Sequence, residues 1–164
     1  MIHSFSCGIV LSDYTEVNLR YEYRERTRGP YAMCGRGYIA NVQEWKKSSR
    51  HKDESIEYVF ADGDKEKGKL ITHLQTYHYP LPTFRNALPR KNDATIIPVI
   101  PLQAADLVAW EHNKFMTTCL TSEGETVTMR RSLDQIRRKI LRKWGVITKK
   151  NMADACIHYD IPER

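Results

Sequence analysis

Residues 96–114 read IIPVIPLQAADLVAWEHNK, and no other stretch restricts the possible folds as tightly. The β-branched run Ile96–Ile100, broken only by Pro98, has the composition of a buried strand end. Pro101 follows, and proline is favoured in the first turn of a helix, where its missing N–H costs nothing. Leu102 to Asn113 then reads as a helix with Leu102, Ala105, Ala109 and Trp110 along its apolar face. Asp106 stands at the edge of that face. A carboxylate pressed against apolar groups needs a metal ion, a basic neighbour or a positive helix start to offset its lost hydration. Alternatively, it complements the helix dipole from a solvated edge. Both readings stand at this point.

A strand feeding a helix recurs twice upstream. Ser4–Leu11 (SFSCGIVL) reads as a strand ending at a Ser12-Asp13 turn. Residues 16–28 are dense in charge, with Tyr21 and Tyr23 interleaved, and read as an exposed connection, with or without a frayed helix. Tyr31–Lys47 suits a helix, with Tyr31, Cys34, Tyr38, Val42 and Trp45 at spacings of three and four and Glu44 on its solvated side. Gly35 and Gly37 each cost roughly 1 kcal/mol against alanine there, and close packing on a sheet would justify them. After a polar loop at 48–55, Ile56–Phe60 reads as a strand running into Ala61-Asp62-Gly63-Asp64. Two carboxylates one residue apart at a strand end can share a cation, or form an ordinary Asp-Gly turn. Lys67–Tyr77 reads as a further helix, with His73 and His78 as surface or core-edge residues because five positions do not share a helical face. Pro80, Pro82 and Pro89 mark 79–93 as a loop.

Downstream, 117–128 is polar and reads as a loop. Ser132 with Gln135 fits a capping box. Leu133, Ile136, Ile140, Leu141 and Trp144 then trace the apolar face of a basic amphipathic helix, stopped at Gly145. Residues 130–150 hold nine Lys/Arg against Asp134 alone. The whole chain is only +6, so the basic character belongs to this segment. It is either a solvated helix or a phosphate-binding surface, with Arg131, Arg137, Arg138, Arg142 and Lys143 as the nucleic-acid contacts. Met152–Arg164 reads as a loosely held tail.

No apolar run is long enough to span a bilayer, and no signal-peptide pattern opens the chain, so a cytoplasmic location is expected. Cys7, Cys34, Cys119 and Cys156 are widely spaced and expected to be free thiols. Walker A, G-x-G-x-x-G, G-x-S-x-G and H-E-x-x-H motifs are absent. The element order predicts an α/β layered fold with adjacent parallel strands, in which functional groups gather beyond the strands' carboxyl ends. That rule places Asp62, Asp64 and Asp106 on one edge.

Tyr58-Val59-Phe60-Ala61-Asp62-Gly63-Asp64 together with Pro101-Leu102-Gln103-Ala104-Ala105-Asp106-Leu107 resembles the domain of unknown function 3800 family. Phe5-Ser6 through Asp13-Tyr14, and Pro30-Tyr31-Ala32, extend the resemblance, which covers roughly Phe5 to Lys114. It implies a ribonuclease H-like (RNase H-like) mixed sheet flanked by helices over 1–115, followed by a C-terminal extension over 116–164. It also implies metal-assisted phosphodiester hydrolysis, with Asp106, Asp64 and Asp62 holding Mg²⁺ or Mn²⁺ as catalytic metal ligands. Members of that family usually begin with a strand bearing Asp-Glu-Ser and often carry Glu where this chain has Ala61. The expected protein is therefore an N-terminally shortened relative, either a metal-dependent nuclease or its remnant. The alternative is a catalytically silent nucleic-acid-binding or protein-interaction module. An uncovered sheet edge would also invite self-association or pairing with a missing N-terminal portion.

Overall fold

The fold is that of a computed structural model, which describes residues 4–85, 100–122, 126–139 and 141–164. It is mixed α/β. In chain order the elements are β1 (Ser4–Ile9), α1 (Leu11–Arg20), α2 (Tyr23–Thr27), α3 (Pro30–Lys47), β2 (Val59–Ala61) and α4 (Lys67–Thr76). They continue with β3 (Thr83–Arg85), α5 (Ile100–Thr121), α6 (Arg131–Lys139), β4 (Leu141–Ile147) and α7 (Lys149–His158). The described strands form two parallel pairs, β1 with β4 and β2 with β3, rather than one continuous sheet. Thr83 N–H donates to the Tyr58 carbonyl and Asp62 N–H to that of Arg85, at 2.8 Å each. The strand expected at Ile96–Ile100 lies outside the described residues except for Ile100, which opens α5.

The chain divides into two compact units. One comprises Cys7–Tyr58, Gly63–Thr83 and Gly145–Arg164. Its core gathers Tyr14 and Val17 of α1, Tyr21, Tyr23, Met33, Met152 and Cys156 of α7, and Ile161. The expected exposed connection at 16–28 is therefore largely two helices whose tyrosines are buried. Tyr14, Val17 and Tyr21 recur at three and four positions, a periodicity that the surrounding charges hide. The C-terminal segment is not a loose tail. Thr148 caps α7 through a capping box with Asn151, and Asp13 Oδ2 accepts from the Lys149 N–H at 2.9 Å. A carboxylate at a helix start is favoured by the dipole, so α1 fixes the start of α7.

In the same unit α3 packs on α4. A Cβ added to Gly35 would lie 2.6 Å from Leu70 Cδ1, so the glycine permits a close helix–helix approach. Leu70 and Leu74 are fully buried, and so is His73, at 1% exposure, contrary to a surface or core-edge position. Neither ring nitrogen of His73 has a hydrogen-bond partner, and its ring meets Tyr77 edge-on at 4.8 Å. Burial, reinforced by Arg36 and Arg28, lowers its pKa to about 4.

The other unit comprises Met1–Ser6, Val59–Asp62 and Phe84–Trp144. Here α5 packs on β2 and on α6. α5 runs to Thr121, well into the expected polar loop, and within it Thr118 and Thr121 donate their hydroxyls to the carbonyls of Lys114 and Thr117, one turn back. α6 begins at Arg131, so Ser132 sits inside the helix instead of capping it. The helix ends at Lys139, and Leu141–Ile147 is strand. Gly145, Val146 and Ile147 are poor helix formers, and pairing with β1 decides the segment's state.

Candidate nucleic-acid interface

On α5 the inward positions are Val108, Glu111, His112, Phe115 and Met116, a spacing of three, four, seven and eight that defines a helical face. Two of the five are ionisable. Glu111 is 5% exposed and His112 6%. Each has a specific partner, although Glu111 Oε2 makes no hydrogen bond. Ser132 Oγ donates to Glu111 Oε1 at 2.9 Å, and Arg130 Nη1 lies 3.8 Å from Oε2. Ser6 Oγ and His112 Nδ1 are hydrogen-bonded at 2.5 Å, while burial lowers the His112 pKa and favours the neutral ring.

With those polar groups turned inward, the apolar face expected from the sequence is turned outward. Ala105 and Ala109 are exposed, as are Leu107 (55%) and Trp110 (48%). Apolarity alone selected the wrong side, because the inward polar groups find partners supplied by α6 and β1.

Trp110 is flanked by two cations. Lys114 Nζ, one turn along α5, is 4.8 Å from the indole centroid, and Arg130 Cζ is 5.4 Å from it. Both distances fall within cation–π range. Glu111 and Trp110 together position Arg130 between a buried carboxylate and an exposed ring. Beside them lies an open groove of about 560 Å³ lined by Trp110, Lys114, Phe115, Thr117, Val127 and Arg130. It offers an aromatic surface, positive charge and hydroxyl groups within one concavity. That combination suits a base or sugar stacked near a phosphate.

The residues singled out from the sequence fall in different places. Asp106 is exposed on α5, one helical turn before Trp110 and on the same face. Asp62 follows β2 and is exposed, in the same unit as Asp106. Asp64 belongs to the other unit, where its Oδ1 accepts from the Glu66 N–H at 2.7 Å. Among the described residues, no three His, Cys, Asp or Glu side chains are grouped as a metal ion would require.

Of the expected basic contacts, Arg131 is exposed and Arg138 pairs with Asp134 at 2.8 Å. The side chains of Arg137, Arg142 and Lys143 lie outside the described residues. The backbone of 142 and 143 is strand, so the single helical face expected to carry all five does not form. Trp110, Lys114 and Arg130 had one signal in the sequence: a tryptophan followed by a lysine at i+4 on a helix. Arg130 reaches them only through the fold.

Among the described residues, no helix is long and apolar enough to cross a membrane. No family model, curated protein or solved structure matches this chain.

Proposed function

We propose that this chain binds nucleic acid through the outward face of α5, in single-stranded or locally opened form. The observation that carries the reading is Trp110, exposed, flanked by Lys114 and Arg130, and opening onto a groove. Cations satisfy phosphates without regard to sequence, and an exposed indole stacks on any base. A duplex hides its base faces, so the same groove favours unpaired nucleotides. An RNase H-like fold of the domain of unknown function 3800 family belongs to the same proposal. The mixed α/β character and the Pro101–Leu107 run support it.

The test is fluorescence anisotropy with labelled single-stranded DNA, single-stranded RNA and duplex across a salt series. The expected result is tighter binding to single strands, weakening steeply as salt rises. Trp110→Ala and Arg130→Ala should each weaken it. Salt-independent binding, or binding untouched by both variants, would refute the reading.

A second reading, metal-dependent phosphodiester hydrolysis, is favoured by the exposure of Asp106 one turn from Trp110. In it Asp106 and Asp62, which share a unit, would hold Mg²⁺ or Mn²⁺ beside a strand seated in the groove. The measurement is cleavage of DNA and RNA with each metal. Cleavage that persists unchanged in Asp106→Asn would remove this site from consideration.

A further inference from the structure

The unit that holds the tyrosine-rich core also holds two half-buried cysteines, Cys7 on β1 and Cys34 on α3. Positions 34 and 37 are three apart on α3 and share a face. A Cβ built on Gly37 would lie 2.7 Å from Cys7 Sγ. The Cys7 sulfur thus rests in the notch that Gly37 leaves, one turn from Cys34, and each thiol shifts the other's pKa. All four cysteines of the chain are free, and Cys119 is the exposed one.

We propose that Cys7 and Cys34 form an oxidation site for peroxides, in which Cys7 is oxidised first and Cys34 resolves the product as a disulfide joining β1 to α3. The Cys7 thiolate attacks one peroxide oxygen: an S–O bond forms, the O–O bond breaks, and the departing hydroxide takes up the proton lost by the thiol. Cys34 sulfur then attacks Cys7 sulfur, an S–S bond forms, the S–O bond breaks, and water leaves. Two thiols lose two electrons, and hydrogen peroxide is reduced to two waters. The assignment of roles follows from the direction of the shifts: the neighbouring Cys34 thiol holds the Cys7 pKa below the ordinary thiol range, while Cys7 and burial push that of Cys34 up. This site is independent of the nucleic-acid reading.

The experiment treats the full chain with hydrogen peroxide, alkylates the remaining thiols and maps peptides without reduction. The expected result is loss of alkylatable thiol at Cys7 and Cys34 together, a linked peptide pair, and an intact mass lower by two hydrogen atoms, all reversed by dithiothreitol. In Cys34→Ser, a dimedone adduct should appear on Cys7 in place of the link. Gly37→Ala, which moves the Cys7 sulfur, should slow the link. Cys7 and Cys34 both staying alkylatable after Cys119 has been oxidised would overturn the proposal, as would Cys7 joining only to Cys119 of a second chain. Both outcomes are read on the unmodified sequence, so the proposal does not depend on any variant folding.

Discussion

In the unit formed by Cys7–Tyr58, Gly63–Thr83 and Gly145–Arg164, aromatic and aliphatic side chains fill the interior: Tyr14, Val17, Tyr23, Leu70, Leu74 and Met152. In the unit that carries α5, the most deeply buried of the described side chains on that helix are Glu111 and His112, while Leu107, Trp110 and Leu120 face outward. The first arrangement gains stability in proportion to apolar area removed from water. The second fixes side chains through a few partnered polar contacts and leaves its aromatic group free to meet something else. With the proposed binding role, the difference assigns stability to one unit and recognition to the other, and each half of that assignment can be broken separately.

The largest effect should come from the apolar interior. Met152→Ala, at a fully buried position of α7, is expected to cost about 2–5 kcal/mol by urea denaturation. A cost near zero would mean that α7 does not close that core.

Next is the buried imidazole. Unfolded, His73 takes up a proton near its ordinary pKa of 6.5; folded, it does so only near 4. Its depressed pKa therefore leaves stability intact above pH 6.5 and erodes it as pH falls toward 4, where the unfolded chain binds the extra proton. Between pH 7 and 4.5 the loss attributable to His73 should be about 2.5 kcal/mol. His73→Phe should flatten that part of the profile; an unchanged slope would place the titration elsewhere.

In the α5 unit the direction reverses. Trp110→Ala should weaken single-strand binding by about 1–3 kcal/mol while changing denaturation by less than about 0.5 kcal/mol. A large stability loss there would make Trp110 a packing residue and dissolve the contrast between the units. The smallest effect sits at a helix end. Thr148→Ala removes the α7 cap and should cost about 1 kcal/mol by the same denaturation measurement.

What could be read from the sequence follows the range of the forces involved. β1, α3 and α4 emerge close to their expected bounds because each carries a local period that packing then uses. The β2 strand is shorter than expected, yet it still delivers Asp62-Gly63-Asp64 to its end. The inward face of α5 was not legible. Its orientation depends on Ser132 meeting Glu111 and Ser6 meeting His112, partners 21 and 106 residues away. The 141–147 strand was hidden for the same reason. Leu141 and Trp144 fit a helical period, and only pairing with β1 overrides it. Of the three acids, Asp106 stands on its expected helix and is exposed. The cation-flanked tryptophan one turn away went unseen because tryptophan reads as a core residue by default.

The Asp13–Lys149 contact spans 136 residues and joins the start of α7 to α1. During synthesis α1 leaves the ribosome long before α7 exists, so Tyr14 and Val17 wait without their cover until α7 is made. Closure of that core therefore has a large loop to close. Until then the nascent chain presents an uncovered tyrosine-and-valine stripe.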